Sequence, residues 1–158
     1  MNETAKKTIS RRQFIGSASV LAVAAGVRAQ AAARRIPIGV QLYCVRHELA
    51  EDFEGTMAKV AGIGFEGVEF ADYFGRSAAD LRRVLDANGL RCCGTHIMLD
   101  DMLGDKLKET VEFNQTIGNP YLIVRWLGEG LRSTPEAFER TVGLFNEVSE
   151  KLERYGMR

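Results

Sequence analysis

Apolar and polar positions along the chain follow two periods, one typical of buried strands and one typical of amphipathic helices. Short apolar runs predict four strands, over residues 36–44, 65–71, 90–96 and 121–127. After each run, apolar residues spaced three and four apart predict a helix. The strand starts lie about 25 to 31 residues apart, so the chain repeats one β-α unit four times.

Capping and stop signals place the ends of the predicted helices. Ser77 begins the second helix as the N-cap of a Ser-Ala-Ala-Asp capping box, and Gly89 ends it. Gly118-Asn119-Pro120 stops the third helix at about residue 117. Pro135 in the first turn begins the fourth, for which we expect the buried stripe Phe138, Val142, Phe145, Val148 and Leu152.

Repeating β-α units of this length require a parallel sheet with helical crossovers, which places the chain in the α/β class. Four units fit half of a (β/α)8 barrel. They fit an open doubly wound sheet poorly, because no glycine-rich nucleotide loop follows the first strand. We therefore predict a partial barrel over residues 32–158, with Gly156-Met157-Arg158 as the start of a fifth strand.

The faces of the first three strands indicate a site. One face of the first strand carries Gly39, Gln41 and Tyr43, and glycine again precedes an ionisable residue at Glu69 and His96. Since barrel enzymes take their catalytic groups from the C-terminal ends of several strands, we expect Gln41, Tyr43, Glu69 and His96 to converge at one mouth. Each has a structural alternative: an ion pair for Glu69, a hydrogen-bonded core position for His96, and simple filling of the interior for the other two.

The residue pattern of the fourth strand does not decide which of its two faces points to the barrel interior. Arg125 would bind an anionic substrate or end an ion pair, and Trp126 would stack on a sugar ring or pack. Asp100 and Asp101, which follow the third strand, permit a metal site, but consecutive acids in a loop are usually solvated.

The first 35 residues hold seven basic side chains and the single acid Glu3, although the whole chain is neutral. Arg11 and Arg12 precede the uncharged stretch 13–27, and small residues follow at 29–31. This arrangement resembles a twin-arginine export signal over residues 1–31, which implies the export machinery as a partner and a periplasmic or secreted protein. The stretch is too short for a membrane anchor. The alternative is a basic amphipathic helix that stays attached.

Removal of residues 1–31 leaves 16 basic and 20 acidic residues. This balance argues against a nucleic-acid partner. The three cysteines, Cys44, Cys92 and Cys93, are odd in number and two are adjacent, so we expect buried thiols rather than disulfides.

Three segments together resemble the sugar phosphate isomerase/epimerase family with its xylose isomerase-like barrel. They are residues 38–46 (IGVQLYCVR), residues 64–70 (GFEGVEF) and Thr95-His96. The resemblance implies a sugar or polyol substrate and a divalent metal (Mn, Mg, Co or Zn) at the barrel mouth. By the same resemblance, Glu69, His96, Gln41 and Tyr43 line the substrate or metal pocket. Trp126 is a further candidate for substrate binding because of its place on the fourth strand.

In that family most metal ligands and the acid/base glutamates come from the fifth to eighth strands. We therefore expect the main acid/base residues beyond Arg158 and an N-terminal half that is inactive alone. Two alternatives stay open: a non-catalytic half-barrel that binds carbohydrate, and a homodimer that closes one barrel. An apurinic-site nuclease shares the barrel, but the predicted export and the acidic balance argue against it.

Overall fold

Four parallel strands form one sheet in the computed structural model, which describes residues 36–158. The strands are β1 (Gly39–Gln41), β2 (Gly67–Phe70), β3 (Arg91–Ile97) and β4 (Leu122–Val124), and they lie side by side in chain order. Parallel neighbours in chain order require a crossover after each strand. The predicted α/β class and the four β-α units are confirmed.

Helices supply these crossovers, and short 3-10 turns join them to the strands. The helices are α1 (Arg46–Glu51), α2 (Phe53–Ile63), α3 (Ala78–Asn88), α4 (Lys106–Thr116) and α5 (Pro135–Glu153), and the 3-10 turns span Leu42–Val45, Leu99–Met102 and Glu129–Leu131.

The predicted helix ends are mostly where the capping chemistry places them. Ser77 Oγ accepts the Asp80 N–H at 3.2 Å, and Thr134 Oγ1 accepts the Ala137 N–H at 3.1 Å with Pro135 in the first turn. Gly89 closes α3 in the left-handed region at φ 64°, a conformation that costs glycine little. These local signals fix where each crossover turns back toward the sheet.

One side of the sheet packs against the helices and forms the core. Val68 and Phe70 of β2 are fully buried against α2 and α3, which contribute Met57 and Leu81. A second cluster joins β3 and β4 to α4 and α5; it includes Ile97, Val111, Leu122, Val148 and Leu152. Each fully buried side chain of this size contributes about 1.5–3 kcal/mol. Burial on this side therefore holds the helices on the sheet.

The buried side chain of Asn119 links β3 to the start of β4 by hydrogen bonds. The two N–H groups of Asn119 Nδ2 are shared among three acceptors: Thr95 Oγ1 and Asn114 Oδ1, both at 2.8 Å, and the Tyr121 carbonyl at 2.7 Å. Asn114 also donates to the hydroxyl of Tyr73 at 3.2 Å. The stop signal Gly118-Asn119-Pro120 thus ends α4 as predicted, and its asparagine also satisfies polar groups between the strands.

Several local predictions were wrong. Cys44 and Cys93 are exposed rather than buried, and the fourth strand ends at Val124 rather than at residue 127. The first strand ends at Gln41, because a 3-10 turn begins at Leu42 and buries that residue; Tyr43 therefore leaves the strand and is exposed. In α5, Phe138 and Val142 are exposed. The first half of the helix packs through Ala137 and Thr141 instead, since the Thr141 hydroxyl donates to the Leu131 carbonyl at 2.7 Å.

Residues 156–158 return to the sheet beside β4. Arg158 N–H donates to the Pro120 carbonyl at 2.9 Å, and the Leu122 N–H donates to the Arg158 carbonyl at 2.8 Å. This is the pattern of a parallel bridge, and Met157 is buried in the second cluster. These two hydrogen bonds agree with the predicted start of a fifth strand, and the sheet of the described residues has four strands.

The predicted export signal, including Arg11 and Arg12, lies outside the described residues. Within residues 36–158, none of the helices has the length and apolar character needed to cross a bilayer.

Candidate functional site

Three side chains predicted to share a site meet at the C-terminal ends of β1, β2 and β3. Gln41 Nε2 donates to Glu69 Oε1 at 2.7 Å and lies 3.1 Å from His96 Nε2. His96 Nε2 lies 2.9 Å from Glu69 Oε1. We call Gln41, Glu69 and His96 the strand-end cluster. It is half-buried, with 17% of the His96 side chain and 26% of the Glu69 side chain exposed, so it remains open to a ligand.

The position of His96 Nε2 allows two hydrogen-bond states. As an unprotonated nitrogen it accepts from the Gln41 amide, and as an N–H it donates to the Glu69 carboxylate. Glu69 keeps its bond from Gln41 in both states. His96 Nε2 therefore has a hydrogen-bond partner within the cluster in either tautomer.

Gly94 of β3 makes room for the Glu69 side chain. Gly94 pairs with Glu69 across a register shift between Val68 and Glu69. A Cβ at position 94 would lie 3.3 Å from both Glu69 Cγ and Oε2, and 2.8 Å from Ile123 Cδ1. The absent side chain thus lets the carboxylate lean over β3 toward His96.

A layer of small residues supports the cluster from below, toward the N-terminal ends of the strands. Gly39 pairs with Gly67, and the Cys93 thiol covers both, with Sγ 3.1 Å and 3.4 Å from where their Cβ atoms would stand. Burial, followed by the negative charge of Glu69, raises the pKa of the Cys93 thiol. We call the side of the sheet that carries Gly39, Gly67, Cys93 and Gly94 the glycine face. Cys93 and Gly94 share this face although they are adjacent, because the register shift leaves Cys93 as an extra, unpaired residue of β3.

Two clefts open at the same ends of the strands. The larger, about 550 Å³, is lined by His96 together with Tyr73, Arg76, Asp101 and Arg125. The smaller, about 300 Å³, is lined by Tyr43, Arg46, Asp72, Phe74 and Arg125. Asp72 and Arg125 line both clefts. A ligand that contacts the strand-end cluster can therefore reach the smaller cleft as well.

The other candidates are distributed around these clefts. Tyr43 lines the smaller cleft from its 3-10 turn, and Arg125 follows β4 and reaches both clefts. Asp101 lines the larger cleft and lies 3.5 Å from Lys106 Nζ. Trp126 is 60% exposed and lines neither cleft. The role of Trp126 in binding therefore stays a prediction.

Asp72, Arg76 and Arg46 also line these clefts, but they were not predicted as site residues from the sequence. Asp72 and Arg76 follow β2 directly, and the segments after barrel strands form the mouth. Their position directly after a predicted strand could therefore have identified them as candidate site residues. Tyr73 lies in the same segment. Its hydroxyl accepts a hydrogen bond from Asn114, and burial raises the pKa of that hydroxyl.

The implied metal needs more ligands than these residues provide. A carboxylate oxygen and an imidazole nitrogen in the strand-end cluster are suitable donors, but residues 36–158 contain no group of three His, Cys, Asp or Glu side chains that could hold a metal ion. A zinc site takes four ligands and a magnesium or calcium site takes six or more. The described residues therefore do not form a metal site by themselves.

No protein-family model matches the chain, and no curated protein matches it in sequence. Solved structures do match its fold. A sugar phosphate isomerase/epimerase from Parabacteroides distasonis aligns with 77% of the chain and 49% of its own length, at a TM-score of 0.55 and 19% identity. The described residues form a partial (β/α)8 barrel.

Two further solved structures also match the fold of this chain over about half of their own length. An AP endonuclease of family 2 from Brucella melitensis has a TM-score of 0.57 and 18% identity over 77% of this chain and 53% of that chain. A xylose isomerase domain-containing protein from Salmonella typhimurium has a TM-score of 0.56 and 18% identity, and the alignment covers 77% of this chain and 47% of that protein. The chain spans about half the length of these three solved structures, and identities this low establish the fold alone.

Proposed function

We propose that this chain supplies the substrate-binding N-terminal half of an exported, metal-dependent sugar isomerase or epimerase. The observation that carries the proposal is the strand-end cluster, in which an amide, a carboxylate and an imidazole from three neighbouring strands meet within 3.1 Å of one another beside a cleft of about 550 Å³. Structural similarity to a sugar phosphate isomerase/epimerase over half of its length supports it.

The chemistry of the cluster suits a polyhydroxylated substrate. Glu69 accepts hydrogen bonds from hydroxyl groups, and His96 donates to or accepts from a carbonyl or hydroxyl oxygen. Gln41 donates to Glu69 and so fixes the orientation of its carboxylate. Isomerisation and epimerisation move a proton at a carbon next to a carbonyl, and the cluster offers a carboxylate and an imidazole for holding that proton.

The divalent metal belongs to the same proposal. A bound Mn, Mg, Co or Zn ion would polarise the substrate oxygen. Its remaining ligands, and the main acid/base residues, would come from further strands. Accordingly, we expect the 158-residue chain to bind a sugar or polyol without turning it over.

Sugar binding is the first test. Isothermal titration of the chain with a ketohexose should give measurable affinity, and His96→Gln should lower it about tenfold, the effect of losing one charged or strong hydrogen bond. Glu147→Gln, which changes an exposed carboxylate on α5, is the matched control. Equal affinities for the wild type and His96→Gln would contradict the proposed role of the cluster.

Deuterium exchange and DNA cleavage separate the alternatives. Incorporation of solvent deuterium next to the ketose carbonyl, followed by NMR with manganese present, would show that the chain is itself catalytic, for example as a dimer that closes the barrel. If the chain binds sugar but no longer form of the protein gives deuterium exchange, a non-catalytic carbohydrate-binding module would be favoured. Cleavage of an abasic-site duplex would replace the proposal by a nuclease, the activity named for the Brucella structure.

A further inference from the structure

We propose that the smaller cleft is an anion subsite in which Arg46 and Arg125 bind a phosphate or carboxylate group of the substrate. This inference rests on the proposed function, since it places the reacting end of the same sugar at the strand-end cluster. It assigns a substrate class, an anionic sugar rather than a neutral one, and two specificity-determining residues.

The charges that line the smaller cleft favour an anion. Arg46 and Arg125 contribute two guanidinium groups, and Asp72 contributes the one carboxylate. One oxygen of Asp72 already accepts the Phe74 N–H at 2.5 Å. The cleft therefore keeps a net positive charge, although residues 36–158 as a whole contain 14 basic and 20 acidic residues.

Arg125 is available for a ligand. In the part of the chain that the structure describes, its side chain has neither a hydrogen bond nor an ion pair. It is exposed at the end of β4, and it lines both clefts. A guanidinium at the junction of two clefts can bind an anion in one while a neighbouring group of the same ligand occupies the other.

Arg46 is held in place before any ligand binds. Its Nη1 donates to the Tyr43 carbonyl at 2.9 Å, and its guanidinium carbon lies 4.3 Å from the centre of the Tyr43 ring. These contacts occupy one of five N–H donors and leave the others for a ligand. A pre-positioned guanidinium loses less side-chain entropy on binding, which strengthens an anion contact.

Asp72 fits the same ligand. Its carboxylate stands on the wall shared by the two clefts, where it can accept hydrogen bonds from the hydroxyl groups of a sugar. A sugar phosphate or sugar acid presents hydroxyl groups next to its anionic group. The lining therefore matches an anion with adjacent hydroxyls better than a free inorganic ion.

The test compares one neutral and two anionic ligands on the full chain. Fructose, fructose 6-phosphate and gluconate are titrated calorimetrically at low and high salt, with Arg125→Gln, Arg46→Gln and the control Arg140→Gln, which changes an exposed arginine on α5. We expect at least one anionic ligand to bind about tenfold to hundredfold more tightly than fructose, the range for one or two charged hydrogen bonds. Arg125→Gln should remove that preference and Arg140→Gln should keep it.

Each outcome bears on the proposal. A preference for fructose 6-phosphate or for gluconate identifies the anion, and both support the subsite. Equal affinity for neutral and anionic ligands, no binding of any of them by the folded chain, or an equal loss in Arg140→Gln would overturn it. The proposed function fails separately: an anion preference that survives His96→Gln, with no effect of that change on fructose binding, would leave the subsite standing and refute the role of the cluster.

Discussion

The two sides of the sheet use their residues in opposite ways. The helix-facing side of β2 and β3 presents Val68, Phe70 and Cys92, all buried. The glycine face presents small residues along the strands and the strand-end cluster at their C-terminal ends. Packing on one side thus supplies the stability that lets the other side keep a half-exposed carboxylate and imidazole.

Adjacent cysteines show this difference at the scale of one residue. Cys92 points to the helix side and is 4% exposed, and burial raises the pKa of its thiol to about 11. Cys93 points to the glycine face and is exposed. Because side chains alternate along a strand, one step in sequence moves a thiol from the core to the face that carries the site.

The largest expected effect is on the helix side. Phe70→Ala removes a fully buried ring and should lower the free energy of unfolding by about 3–5 kcal/mol, measured by urea denaturation. Its neighbour Glu69 points to the other face, so Glu69→Gln should change that free energy by less than about 1 kcal/mol. Similar losses for the two variants would contradict the separation of the faces.

A smaller effect is expected where the glycine face is most crowded. In Gly94→Ala the new Cβ meets Ile123 Cδ1 at 2.8 Å and Glu69 at 3.3 Å, so both side chains must shift, at a cost of about 1 kcal/mol. The shift should move Glu69 away from His96, and the imidazole NMR signals of His96 should change.

Gly62→Ala is the matched control for this change. Position 62 lies in α2 with no atom within 4 Å of its would-be Cβ, so alanine there should stabilise by up to about 1 kcal/mol and leave the His96 signals unchanged. Unchanged His96 signals in Gly94→Ala would show that Gly94 does not set the position of the carboxylate.

Much of this architecture follows from local patterns in the sequence. Period-two alternation predicts that Gln41, Glu69 and His96 share a face, because parallel strands align their side chains in register. It could not predict that β1 ends at Gln41, since burial of Leu42 in a 3-10 turn depends on the helices packed beneath it. The same tertiary packing decides that α5 buries Thr141 and exposes Phe138.

The clefts were the least predictable part of the site. Arg46 and Arg125 are 79 positions apart in sequence. They follow β1 and β4, the two outer strands of the sheet, and only the fold brings both side chains to the smaller cleft. Asp72 carries no motif; its importance comes from standing between the two clefts. Strand-face patterns predict which side chains share a face, whereas loops after the strands decide what else surrounds them.

The smallest predicted effect concerns the Cys93 thiol. The charge of Glu69 helps to raise the pKa of Cys93, so Glu69→Gln should lower that pKa and increase the thiolate fraction at pH 8. Because a thiolate of lower pKa is also a weaker nucleophile, the rate of reaction with a disulfide reagent should rise only about two- to threefold. Site-resolved mass spectrometry in a Cys44→Ser background would measure it.

The two cysteines of β3 should differ in pH dependence as well as in rate. Cys93 should react faster as the pH rises toward its pKa, whereas Cys92, buried with a pKa of about 11, should react only as fast as the core opens. Glu147→Gln should leave both rates unchanged, because that carboxylate lies on the exposed surface of α5. Equal reactivity of Cys92 and Cys93 in the folded chain would mean that the helix side of β3 is as accessible to the reagent as the glycine face. The contrast between the two faces of the sheet would then not hold for these neighbouring residues.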